Sequence, residues 1–156
     1  MMPRLSILRT LFILGLLSSG ATPCPKGTML TVEKTCERCG PGKFSWRLDS
    51  KKCDDCPAGS ESIENRTTCV ACPPGKVGSG GDGGVCKACL EGEIAPKPRA
   101  ITCQVCIAGK TSSPIVGGTK CVNCESGRYS ESKNEGCFDC PDGTYSPTEG
   151  ASNGCQ

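Results

Sequence analysis

The stretch Cys-Asp-Asp-Cys-Pro-Ala-Gly, CDDCPAG at 53–59, places two cysteines three positions apart and runs into a proline and a glycine. The same CxxC shape recurs seven times in the chain of 156 residues. It is open to three readings: half of a zinc site, a redox dithiol, or the boundary between two disulfide-closed units. The choice among them decides the fold.

Laying the chain out from each cysteine that precedes a long gap gives eight segments: 24–36, 39–53, 56–69, 72–86, 89–103, 106–121, 124–137 and 140–155. Two residues join each segment to the next. A glycine stands three positions after every opening cysteine, at Gly27, Gly42, Gly59, Gly75, Gly92, Gly109, Gly127 and Gly143. Such regularity calls for a turn that needs positive φ or a close backbone approach. Pro25, Pro57, Pro73 and Pro141 follow the opening cysteine directly, and Pro41 is displaced by one. Pro-x-Gly predicts a type II turn with proline at its second position. Three segments continue glycine-x-aromatic-serine, at Phe44-Ser45, Tyr129-Ser130 and Tyr145-Ser146, and a ring there is expected to cover the nearby disulfide. The glycines and prolines leave no helical period, so turns and short two-stranded ribbons are expected. The repeat predicts a quasi-one-dimensional array in which each unit contacts mainly its neighbours.

The first 21 residues have their own character. Arg4 and Arg9 flank a short apolar run, Leu11 to Leu17, and Ser19 and Ala21 are the small residues of a cleavage site. This is the layout of a secretory signal peptide over 1–21, leaving a cysteine-rich region over 22–156. The run is far short of the ~20 apolar residues of a spanning helix, and no second one follows. The chain is therefore expected to be secreted, extracellular or lumenal, with no membrane span.

From Thr22 onward, 16 basic and 16 acidic residues balance. No overall field attracts nucleic acid or an anionic membrane. Leu, Ile, Val and Phe supply only 17 of these 135 residues. That is too few to offset the ordering entropy by burial. All 16 cysteines lie in the same region, so cross-links must stand in for a core. The expected fold is small and disulfide-rich: an elongated tandem array of short β-ribbon and turn modules with little hydrophobic core.

If each segment closes on itself, the bridges are Cys24–Cys36, Cys39–Cys53, Cys56–Cys69, Cys72–Cys86, Cys89–Cys103, Cys106–Cys121, Cys124–Cys137 and Cys140–Cys155. Every cysteine is then used, including the singletons Cys24 and Cys155. Crossed pairings in some units remain the alternative, since spacing alone does not fix connectivity. The spacing from Cys36 to Cys56 also suits a zinc ribbon. The terminal singletons and the glycine phase that tracks the segments oppose that reading. A redox dithiol ordinarily sits at a helix N-terminus, and no helix is expected here. The chain has no histidine, so His-dependent triads are unavailable. No catalytic, metal or cofactor residue is assigned, and the chain is read as a non-enzyme.

Three further features stand out. Asn65-Arg66-Thr67 is an N-glycosylation sequon. Trp46, the single tryptophan, reads first as a cover for the 39–53 bridge and second as a binding anchor. The glycine-rich run VGSGGDGG at 77–84 lacks the Lys-Ser/Thr of a phosphate loop and reads as a flexible loop tip.

CPAGSES (56–62), CPPGKVG (72–78) and CPDGTYSPTEGASNGC (140–155) resemble the ephrin type-A/B receptor-like cysteine-rich repeat, within the growth-factor-receptor cysteine-rich class. A single segment is also similar to the first module of tumour necrosis factor receptor repeats. There the two cysteines pair with each other, which supports sequential closure here. The likeness weakens over 89–121, where Leu90-Glu91 and Ile107-Ala108 replace Pro-x. It implies an extracellular interaction or spacer module with a protein or glycan ligand, and no catalysis. The alternatives are a metal-binding or redox-active CxxC protein, or the N-terminal part of a larger receptor-like membrane protein.

Overall fold

The computed structural model describes residues 22–81, 83–131 and 135–156. The segment read as a signal peptide, 1–21, lies outside them. The described residues form seven two-stranded antiparallel ribbons and no helix. In chain order the strands are β1 (Thr28–Leu30), β2 (Cys36–Arg38), β3 (Lys43–Phe44), β4 (Asp54–Asp55), β5 (Ser60–Ser62), β6 (Cys69–Ala71) and β7 (Lys76–Val77). There follow β8 (Lys87–Ala88), β9 (Glu93–Ile94), β10 (Gln104–Val105), β11 (Lys110–Ser113), β12 (Lys120–Asn123), β13 (Arg128–Tyr129) and β14 (Phe138–Asp139). Each odd-numbered strand pairs with the next.

The ribbons place the CxxC doublets. In the first seven units the outgoing strand begins just after the turn glycine. The returning strand contains the two residues between the cysteines of the doublet. Lys43 faces Asp55 and Phe44 faces Asp54, for example. The residues between segments are therefore strand residues and not loose joints. Successive strand side chains alternate between faces, so cysteines three positions apart point to opposite sides. One closes its own unit and the other opens the next. The observed bridges join the first and last cysteine of all eight segments, with Cα–Cα distances of 5.4 to 5.8 Å.

Every unit starts with a hydrogen-bonded turn. The amide after the glycine donates to the carbonyl three residues back, as in Thr28 to Pro25, Ser60 to Pro57 and Arg128 to Glu125. The eight turn glycines have φ between 74° and 84°. Proline occupies the first position of these turns, not the second as its spacing suggested; only Pro41 stands second. The first position suits proline because it contributes only a carbonyl acceptor.

Adjacent units are joined through their backbones. At every junction the opening cysteine's amide donates to the turn-glycine carbonyl of the preceding unit, over 2.7 to 3.0 Å from Cys39–Gly27 to Cys140–Gly127. The turn-glycine amide donates forward to the residue three places beyond the next turn glycine. The acceptor is a backbone carbonyl at Ser45, Gly78, Ala95, Ser130 and Ser146. At the other two junctions it is a hydroxyl, Gly42 N to Ser62 Oγ (3.2 Å) and Gly92 N to Ser112 Oγ (3.0 Å). In those two units the serine lies within the longer strands β5 and β11, opposite Cys69 and Cys121.

The same position forms the core. Ser45, Ser62, Ala95, Ser112, Ser130 and Ser146 are all buried. With the opening cysteines from Cys24 to Cys124 they build a column of sulfur and small side chains. Ala95 is the one buried apolar side chain other than cysteine among the described residues. The core is narrow because backbones lie within hydrogen-bonding distance across it.

Contacts also reach second neighbours, which the repeat pattern did not suggest. A Cβ on Gly27 would overlap Asn65, one on Gly59 would overlap Arg99, one on Gly75 would overlap Gly117, and one on Gly109 would overlap Gly150. Each partner lies two units ahead. Glycines of the run at 77–84 take part in this packing. Gly78 and Gly84 are buried, Gly42 abuts Gly81 and Gly84, and Gly80 abuts Cys56 and Ala58.

Candidate functional site

All sixteen cysteines are in disulfides. None remains as the thiolate that zinc or dithiol exchange requires. Among the described residues no group of three or more His, Cys, Asp or Glu side chains is gathered to hold a metal. Also among them, no helix is long and apolar enough to cross a membrane. What the array offers a partner is its surface: the loop side chains between the outgoing and returning strands, and the outer faces of the ribbons.

The aspartates of CDDC are successive strand residues, and both side chains are partly exposed. Asp55 Oδ1 accepts from Lys43 Nζ at 2.8 Å across the ribbon, and Asp54 pairs with Lys52 at 3.2 Å. Arg128 and Asp139 repeat the cross-strand pair at 3.0 Å. All three pairs are partly exposed, which limits each to about 0.2–1 kcal/mol. They align a ribbon more than they stabilise it.

The aromatic position also faces across the ribbon. Tyr129 opposes Phe138, with ring centroids 6.2 Å apart. Phe44 opposes Asp54. Tyr145 is 62% exposed. Its backbone N–H and C=O both bond to Gln156, at 3.0 and 2.9 Å. These rings pack with their cross-strand partners or stand in solvent.

Trp46 is 53% exposed, so it is not a buried lid on the 39–53 bridge. The Arg47 guanidinium stacks on its ring, 4.2 Å from the centroid. Leu48 is exposed beside them. The next residue, Asp49, turns inward: its Oδ1 accepts the Cys24 amide at 2.7 Å and its own amide donates to the Cys24 carbonyl at 3.1 Å. Trp46, Arg47, Ser50, Lys52 and Asp54 line one shallow groove. An aromatic ring under a guanidinium, next to an exposed leucine, is the chemistry of a protein-binding hot spot.

Asn65 is exposed at the tip of the third segment. Its Oδ1 accepts from the Thr67 hydroxyl at 2.8 Å and from the Thr67 amide at 3.2 Å. The amide nitrogen of the side chain makes none of these bonds. The sequon is thus held as a local Asx turn with its acceptor nitrogen pointing away from the contact.

Two positions escaped the reading of the sequence. The first is the column of small residues three places after the turn glycine, next to the larger aromatic in three segments. Its signal is present: serine, alanine or glycine occupies it in seven of eight segments. The second is a left-handed residue later in four of the loops, at Lys34, Asp49, Arg66 and Arg99, with φ of 50° to 63°. Lysine and arginine carry no such preference, so residue type gave no signal there. A scan against protein-family models finds no match, and a search of curated proteins finds none either.

Proposed function

We propose that the chain acts outside the cell as a non-catalytic rod that holds short binding loops at fixed spacing. The observation that carries this reading is the junction bonding. Neighbouring units share hydrogen bonds through the N–H and C=O of the turn glycine, in both directions, so loops are presented at set intervals. A bead-like chain with flexible joints would not preserve such spacing. Sixteen paired cysteines suit an oxidising compartment. The segment shape supports grouping the units with ephrin type-A/B receptor-like repeats. An extracellular protein or glycan is the partner class, and Trp46 with Arg47 is the contact most suited to it. Asn65, exposed and held in its Asx turn, is the glycan attachment point.

The test is binding by the oxidised chain, exported through a secretory pathway and displayed on a sensor surface, to an array of extracellular proteins and glycans. A ligand that binds the oxidised chain, and loses at least about tenfold in affinity to Trp46→Ala, supports the reading. Binding that persists after full reduction would show that spacing is irrelevant and overturn it. Treatment with a glycosidase that removes N-linked glycans should increase mobility on a gel, and Asn65→Gln should abolish that shift.

A further inference from the structure

The balanced charge of the chain conceals an asymmetry along it. Residues 124–156 carry six carboxylates against two cations, a net of −4. Residues 22–123 therefore carry +4. The most basic segment is 39–53, with Lys43, Arg47, Lys51 and Lys52 against Asp49 alone. Asp49 is turned onto the Cys24 amide, and Asp55 and Asp54 pair with Lys43 and Lys52, so the basic character of the loop rests on Arg47 and Lys51.

Exposed apolar groups accompany each charge. Trp46 and Leu48 stand at 53% and 56% exposure beside Arg47 and Lys51. Near the other end, Phe138 and Tyr145 stand at 50% and 62%, in a stretch that also carries Asp139, paired with Arg128, and the exposed Asp142 and Glu149. One patch is aromatic and basic, the other aromatic and acidic. Among the described residues the inter-unit backbone bonds reach no further than the second neighbour, as in Gly83 N to Pro41 O at 3.2 Å. The two patches are separated by units three to six and do not meet within one chain.

We infer that the chain binds a second copy of itself side by side and antiparallel, the segment-two patch of each copy on the acidic patch of the other. An antiparallel register that sets segment two against segment eight, which holds Asp142, Tyr145 and Glu149, places the two-fold axis at segment five and leaves segment one beyond the overlap. Both patches of both copies are then satisfied and the assembly closes at two. A head-to-tail contact would use one patch per copy and continue as a filament. This inference rests on the proposed interaction role and names its partner.

The experiment is sedimentation of the oxidised, exported chain at low and high salt. The expected result is a species of twice the monomer mass in about 20 mM salt that dissociates at about 500 mM, as screened charge pairs do. The paired substitution R47E/K51E and, separately, D142K/E149K should each weaken association by about tenfold or more. All four side chains are exposed, so the fold tolerates them. Mixing the two variants should restore a dimer containing one of each, because an all-acidic copy then faces an all-basic one. A chain that is monomeric at low salt overturns the inference; if it still captures another extracellular protein, the interaction role stands. Growth beyond the dimer, or variants that do not recover on mixing, overturns the antiparallel pairing.

Discussion

Gly59 lies against the backbone carbonyl of Arg99, two units and forty residues further along the chain. The glycine has φ of 77° and Arg99 has φ of 63°. Two left-handed residues from different units thus pack backbone to backbone. One has no side chain, and the other directs its side chain elsewhere. The same relation links Gly75 with Gly117 and Gly109 with Gly150.

Two costs separate at these glycines. A Cβ at Gly143 would meet nothing within 4 Å, so Gly143→Ala should cost only the left-handed conformation, about 1–2 kcal/mol. Gly59→Ala adds an overlap with immovable backbone, a further ~1–3 kcal/mol. Denaturant unfolding of the oxidised variants should rank Gly59→Ala well below Gly143→Ala. Equal losses would mean that the contact with the second neighbour contributes nothing.

Ser112 supplies the hydroxyl that accepts the Gly92 amide at 3.0 Å. Ser112→Ala strands a buried donor and should cost about 1–3 kcal/mol. In the eighth unit the Ser146 carbonyl accepts the Gly127 amide, and its hydroxyl only donates to the Thr148 carbonyl at 3.1 Å. Ser146→Ala should therefore cost about 1 kcal/mol or less. Amide hydrogen exchange at Gly92 and Gly127 reads the difference directly, with protection falling at Gly92 alone.

The cross-strand pair of Lys43 and Asp55 is a surface contact between partly exposed groups. Asp55→Asn should change stability by no more than about 0.5–1 kcal/mol, and the difference should shrink in high salt. A larger effect that survives salt would indicate that Asp55 has a role beyond the pair.

Closure by disulfides makes a chemical prediction. The denatured, unreduced chain should take up no thiol-alkylating reagent, and reduction should add sixteen hydrogens, two for each of the eight bridges. Reduction should also unfold the array, because each bridge contributes about 2–4 kcal/mol and little apolar core would remain. A chelator should leave the fold unchanged. Unfolding by chelator in the absence of reductant would restore the zinc reading.

Much of this architecture is legible in residue spacing. The interval from opening to closing cysteine marks each unit, and the glycine three places on marks its turn, because both are local demands on a single loop. Less legible is what each marker does for its neighbours. Pro-x-Gly announces a turn, but the next unit's cysteine amide settles how the glycine carbonyl is used. The aromatic residues draw attention by size, whereas the serine behind them fills the core. For the candidate surface, Trp46 is conspicuous as the single tryptophan, yet its exposure follows from Asp49 folding inward onto Cys24, and no spacing rule contains that bond.

The sequence by itself determines eight cysteine-bounded units, left-handed turns at their glycines and a chain too poor in apolar residues to fold without cross-links. Those properties reside in short stretches and in composition. Only the tertiary structure decides that the two residues inside each CxxC are strand residues, that small side chains stack into a column, and that Gly59 meets Arg99. These are relations between units, made by backbone groups that every residue carries. A pattern of side chains records them only where a side chain must be absent.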